Sequence, residues 1–311
     1  MTHSGKILIA GAAILALLGT LTACSPLTVV NALSPNSAFK VTHGVPYGSD
    51  ARHQLDIYAP APKLASTAPV VVFFYGGNWD SGERADYAFV GHALASRGIV
   101  AVIADYRLYP QVRYPEFLHD AAQAVAWTMR EVARYGGDAQ RLYVMGHSAG
   151  AYNAAMVALD PQWLTGELTA PAAKGQGARP DPAAQPLRGW IGLAGPYNFI
   201  PIENPTARLV FPYPATPPAS QPINHASASS PPALLIAAKQ DDLVNPQRNT
   251  GALAAKLRTL GVPVTEFYVD RIGHATLVAS LAGPLRKLAP TLDAIEQFID
   301  SDGGRHQPSS P

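Results

Sequence analysis

The chain has 311 residues, 48% of them hydrophobic and 14% charged, with a formal net charge of +1. That is an ordinary globular balance with apolar material for one sizeable core, and it removes any electrostatic case for a nucleic-acid or acidic-polymer partner. The only cysteine is Cys24, which excludes an intrachain disulfide.

Lys6 is followed by an apolar run from Ile7 to Leu21, shorter than the about 20 residues that span a bilayer as a helix. A positive start, a short apolar core and small residues after it predict a signal peptide over residues 1–23. Leu21-Thr22-Ala23-Cys24 resembles the lipobox of bacterial lipoproteins. The resemblance implies that Cys24 is acylated and becomes the new N-terminus, so the protein is exported and held at a membrane by lipid. With Ser25 next, it points to the outer membrane in a Gram-negative cell. An uncleaved anchor, or a signal peptide with an incidental cysteine, is the alternative. Residues 24–40, with Pro26 and Pro35, read as a polar tether.

The domain is expected over residues 41–300. Val41 to Tyr47 and Gln54 to Tyr58 predict a β-hairpin around Gly48-Ser49-Asp50. Val70 to Tyr75 is a continuous apolar run, as in a strand buried on both faces. Ile99 to Ala104, Leu142 to Met145, Trp190 to Ala194, Leu234 to Ala238 and Thr265 to Val269 are similar short runs. Helical patterns fall over Glu83 to Ser96, Pro115 to Arg134, Ala149 to Leu159 and Pro246 to Leu260. This alternation predicts an α/β fold, with a mostly parallel central sheet and helices on both faces. Gly166 to Pro186, rich in Ala, Pro and Gly, reads as a flexible surface insertion, Phe211 to Pro232 as an ordered irregular loop near the site, and residues 301–311 as a disordered tail.

Gly146-His147-Ser148-Ala149-Gly150 matches G-x-S-x-G, directly after the strand that ends at Met145 and at the start of a helix. On such a turn the Ser148 hydroxyl projects above the sheet, and the glycines allow the sharp bend. His147 neighbours Ser148, is expected to point elsewhere, and reads as structural. Triads on such an elbow run Ser, then Asp or Glu, then His along the chain. Of nine histidines, His274 alone outside the tail follows both Ser148 and a plausible acid, just after the last predicted strand, whereas His225 precedes any plausible acid. The loop after Leu234 to Ala238 offers Asp241 and Asp242 as the acid. Gly76-Gly77-Asn78, after the strand that ends at Tyr75, can present backbone N–H groups to an oxyanion.

These segments together resemble α/β-hydrolase carboxylesterases, in the bacterial group related to feruloyl esterases and hormone-sensitive-lipase-like enzymes. The resemblance rests on residues 75–79 (YGGNW), 104–110 (ADYRLYP), 135–150 (YGGDAQRLYVMGHSAG), the QDD segment and Gly273-His274, and covers roughly residues 41–299. It implies Ser148 as nucleophile, His274 as base, and Gly77, Asn78 and Ala149 as oxyanion donors. The family's D-x-x-V pattern, counted back from Val244, implies Asp241 as the acid. The family loop usually begins with His, where this chain has Tyr75. The substrate would be a small-molecule ester, with no metal or organic cofactor implied. A peptidase or amidase on the same scaffold and a non-catalytic surface lipoprotein are the rival readings. Oligomeric state and acyl preference are not encoded in any motif.

Overall fold

Strands that bury every residue need cover on both faces, and the described residues hold four of them: β3 (Ala68–Phe74), β4 (Val100–Ala104), β6 (Gly189–Leu193) and β7 (Ala233–Ala238). The computed structural model describes residues 31, 39–60, 67–169 and 187–303. With β1 (Phe39–Pro46), β2 (Gln54–Pro60), β5 (Gly137–His147) and β8 (Val264–Val269), they form one eight-stranded sheet in the order β1-β2-β4-β3-β5-β6-β7-β8. The β1–β2 and β2–β4 pairs are antiparallel, and every pair from β4 to β8 is parallel. This is the α/β-hydrolase arrangement, with β5 near the middle.

Helices supply the cover. One group joins α2 (Glu116–Glu131), α3 (Ala149–Leu159) and α4 (Pro161–Thr169), which pack on one another, and α6 (Ala252–Thr259), which meets them through the turn Pro222–His225. The other group is α1 (Ala88–Ala95), against β4 and β2, and α8 (Thr291–Asp300), against β7. Arg97 ties these two together through ion pairs to Asp293 and Glu296. Two short helices, α5 (Pro205–Val210) and α7 (His274–Ala279), lie near the strand ends that carry the site.

Three expectations need correction at their edges. Gly166 does not open an irregular insertion, because α4 runs on to Thr169 and buries Leu168 to 2% exposure against the core. Helical spacing of Trp163, Leu164 and Leu168 outweighs the cost of one glycine. The polar tether is docked through Asn31: its Nδ2 donates to the carbonyls of Ala85 and Asp86, and its Oδ1 accepts from the Phe89 N–H. It thereby satisfies a donor at the start of α1 that no helix carbonyl reaches. Residues 301–303 belong to the packed domain, where the Gly303 N–H donates to Phe298 O at 2.8 Å and Arg188 pairs with Asp302. The signal peptide, Cys24, the rest of the tether, residues 170–186 and residues 304–311 lie outside the described residues.

Candidate active site

The strand β5 ends at His147 and α3 begins at Ala149, so Ser148 alone makes the turn between them. It does so at φ 55° and ψ −123°, a conformation an L-residue adopts only when its surroundings enforce it. Those surroundings are backbone. A Cβ on Gly146 would lie 2.1 Å from Gly150 O, and one on Gly150 would lie 2.0 Å from Phe74 O. The Ser148 N–H continues the sheet ladder by donating to Leu193 O at 2.9 Å. Ala149 is the first residue of α3, so its N–H is among the four that no helix carbonyl can accept.

The loop after β3 closes on this elbow. A Cβ on Gly76 would stand 2.9 Å from Ser148 Cβ, so only glycine allows the approach. Gly77 has φ 122°, with Ser81 O 2.3 Å from where its Cβ would be, and Asn78 and Trp79 also have positive φ. Trp79 Nε1 anchors the turn by donating to the buried Asn153 Oδ1 at 3.0 Å. Phe211, from the proline-rich loop expected near the site, packs edge-on against Trp79 at 5.0 Å between ring centres. That loop supports the cavity from behind without lining it.

Tyr75, the departure from the resembled family, is buried beneath the loop. Its hydroxyl donates to Asp105 Oδ1 at 2.8 Å and accepts from Arg52 at 2.7 Å. Arg52 also donates to Gly82 O and Tyr106 O. Asp105 is held in turn by the Arg84 N–H and guanidinium. Burial, with Tyr106 and Asp105 alongside, pushes the Tyr75 phenol well above its ordinary pKa, so it remains a donor. The loop that carries Gly77 and Asn78 therefore lies over a network of buried Tyr75 and Asp105 with the partly exposed Arg52 and Arg84.

His274 opens α7 immediately beyond β8. Its Nδ1 lies 2.7 Å from Asp241 Oδ2, and the two side chains are 9% and 0% exposed. An ionised carboxylate only accepts, so the ring proton is on Nδ1. Asp241 Oδ1 accepts from the Leu243 and Val244 N–H groups at 2.9 and 2.8 Å. Burial works to raise the Asp241 pKa, but the His274 hydrogen bond and charge and the two backbone donors outweigh it and hold the carboxyl below its ordinary value. Asp242 is exposed.

Ser148, His274, Asp241, Gly77, Asn78 and Ala149 all line one cavity of about 450 Å³. Its other wall comes from residues 196–204, for which no site role was expected, and from the chain beyond Asp241, where the sequence offered a role to Asp242 alone. Residues 196–204 contribute Pro196, Phe199, Pro201 and Ile202, and residues 242–249 contribute Leu243, Asn245, Arg248 and Asn249. Asn249 Oδ1 accepts from the Tyr197 and Asn198 N–H groups at 2.8 Å, and Arg248 donates to Ile200 O at 2.6 Å. A π turn over Gln247–Gly251 places these two neighbours side by side on the wall loop. Among the described residues no cluster of three or more His, Cys, Asp or Glu could hold a metal ion.

His147 does not point away from the site as expected. It lines the cavity, its Nε2 lies 3.1 Å from the His274 carbonyl oxygen, and its ring centre is 4.8 Å from that of His274.

Comparison with known proteins agrees with this architecture. A probable isoprenylcysteine alpha-carbonyl methylesterase from Oryza sativa subsp. japonica is 35% identical over 161 residues, 52% of this chain. The aligned part is 36% of that relative, so the chain spans about a third of its length. Esterase LipC from Mycobacterium tuberculosis is 27% identical over 273 residues, 82% of this chain and 63% of the relative. The solved structure of esterase B from Lactobacillus rhamnosis superposes with a TM-score of 0.73 at 18% identity, over 94% of this chain and 96% of that one. The BD-FAE family matches residues 55–257, from β2 through the cavity wall to α6, and the chain belongs to that family.

Proposed function

We propose that the protein is a serine carboxylesterase that works through Ser148, His274 and Asp241 and an acyl-enzyme. The observation that carries the reading is the meeting, in one cavity, of a serine on a strained elbow and a histidine held through Nδ1 by a buried aspartate. With Nδ1 protonated, the Nε2 of His274 is left as a lone-pair base. It takes the Ser148 proton as Oγ attacks the ester carbonyl, and returns that proton to the leaving alkoxide. The Gly77, Asn78 and Ala149 N–H groups donate to the oxyanion; a single such donor is worth about 2.7–4 kcal/mol in the transition state. Asp241 stays ionised and stabilises the imidazolium. Water, deprotonated by His274, then releases the acid. The names of the relatives, methylesterase and esterase, support an ester over an amide.

The test is turnover on nitrophenyl esters of increasing acyl length, with a feruloyl ester alongside. Ser148→Ala is expected to abolish hydrolysis while leaving the melting temperature close to that of the wild type. A variant that keeps most of the turnover would refute the reading.

On the pattern of residues 1–24 we further propose that the protein is exported, cleaved before Cys24 and anchored to a membrane by lipid on that cysteine. Intact mass should show a lipidated chain that begins at Cys24, and Cys24→Ser should remove the lipid. Cleavage elsewhere without lipid would contradict this.

A further inference from the structure

We propose that His147 is a positioning residue for the catalytic base: its Nε2–H holds the His274 carbonyl, and its ring limits rotation of the His274 imidazole so that Nε2 stays turned to Ser148. The inference rests on the reading of His274 as the base. Three observations lead to it. A carbonyl oxygen only accepts, so the contact at 3.1 Å requires the proton on His147 Nε2 and leaves Nδ1 bare. That Nδ1 is buried with no partner among the described residues, a cost that a phenylalanine or leucine filling the same space would not carry. The ring is also confined from the far side, because a Cβ on Gly76 would stand 3.1 Å from Nδ1. His147 thus lies between the loop that offers oxyanion donors and the residue that moves the proton, and touches both.

The charge state fits the role. The titratable groups that act on His147 are His274 and Asp241. Burial first, and the neighbouring His274 ring second, lower its pKa to about 3, against the weaker pulls of the hydrogen bond to the His274 carbonyl and of Asp241. A neutral neighbour leaves the imidazolium of His274, when it forms, with Asp241 as its dominant electrostatic partner. A charged one at a ring separation of 4.8 Å would oppose proton uptake.

Two variants separate the donor from the filler. His147→Gln sets an amide N–H near the place of Nε2–H, and His147→Phe keeps a ring but donates nothing. The readouts are the rate at which a fluorophosphonate labels Ser148, kcat and KM on one nitrophenyl ester, and melting curves. His147→Gln should stay within about threefold of wild type, while His147→Phe should lose on the order of 10²-fold in labelling rate and kcat with KM little changed. A His147→Phe protein that labels at the wild-type rate would overturn the proposal, as would a Gln variant as slow as the Phe one. A wild type that reacts with no fluorophosphonate at Ser148 would overturn the esterase reading itself, and this inference with it. Nitrogen NMR on the wild type needs no variant to fold: His147 should be neutral and protonated on Nε2 from about pH 8 to 5. A cationic ring, or a proton on Nδ1, in that range would contradict the proposal.

Discussion

The cavity has two walls, and they are built differently. On the nucleophile wall, residues 76–79 and 146–150, backbone lies directly on backbone, with Gly150 against Phe74 O and Gly76 against Ser148. Beneath it the buried Tyr75 and Asp105 form a network with the half-buried Arg52. On the other wall, residues 196–204 and 242–249, the chain is pinned by side chains: Asn249 and Arg248 reach across to the Tyr197 and Asn198 N–H groups and to Ile200 O. There is no room for a Cβ at Gly76, Gly77, Gly146 or Gly150 of the first wall, whereas the second presents ordinary side chains such as Phe199, Ile202 and Leu243 to the cavity. Chemistry thus rests on positions that admit almost no substitution, and recognition on positions that can change without disturbing the elbow.

The comparison can be broken most sharply at the pair of neighbouring aspartates. Asp241→Asn should lower kcat on the order of 10⁴-fold, because the amide no longer enforces the His274 tautomer or offsets its charge. Asp242→Asn, on the exposed rim, should leave kcat nearly unchanged. Equal losses, measured on one ester with melting curves alongside, would erase the distinction drawn between them. Next in size is Gly76→Ala, which pushes a methyl group at Ser148 and displaces the donor loop; the expected loss is on the order of 10²-fold in kcat. Unchanged turnover would mean that this loop does not act in the reaction.

Tyr75→Phe probes the support of the same wall. It leaves Asp105 and Arg52 each short of a buried partner, at a cost of about 1–3 kcal/mol in unfolding free energy. Urea titration reads that loss, and an unaltered midpoint would show that the network does not bear on the loop. On the second wall, Arg248→Ala should change KM by a few fold with kcat within about twofold, the signature of lost uniform binding. A collapse of kcat alone would move Arg248 to the chemical side of the comparison.

A separate test is the pH dependence of stability. An unfolded His147 binds a proton below its ordinary 6.5, whereas the folded one resists until about 3. Acid therefore favours the unfolded chain across that window, and stability should fall as pH drops through it. Asp241 acts lower: its folded pKa is depressed, so its contribution is present above the ordinary 3.8 and is lost as pH falls through the depressed value. His147→Gln should flatten the slope between 6.5 and 3 in urea titrations and leave the lower limb in place. A slope that the substitution does not change would assign it to other groups.

The strands were legible because burial on both faces leaves short apolar runs such as residues 70–74, and the elbow because strand, G-x-S-x-G and helix adjoin. Ser148 could be named from that and His274 from chain order, while Gly77, Asn78 and Ala149 as donors also drew on the family resemblance. Asp241 needed a family pattern, since periodicity does not separate it from Asp242; the structure pairs Asp241 with His274. The second wall was missed because residues 196–204 lack periodicity and the helical pattern from Pro246 does not show that Arg248 and Asn249 face the cavity; their order comes from single side-chain bonds such as Asn249 to the Tyr197 N–H. One miss carried a readable signal: Leu292, Ile295, Phe298 and Ile299 repeat at helical spacing and form the buried face of α8. The contact between His147 and His274 spans 127 residues of sequence, and no local pattern encodes it.

The central claim is that Ser148 becomes acylated. The most direct measurement is peptide-level mass spectrometry after brief reaction with a fluorophosphonate, with Ser148→Ala in parallel. The account predicts one adduct, on the peptide that contains Ser148, loss of esterase activity in step with its formation, and no adduct on the variant. Ester hydrolysis that continues with Ser148 fully modified, or an adduct on another residue that tracks the loss of activity, would contradict it.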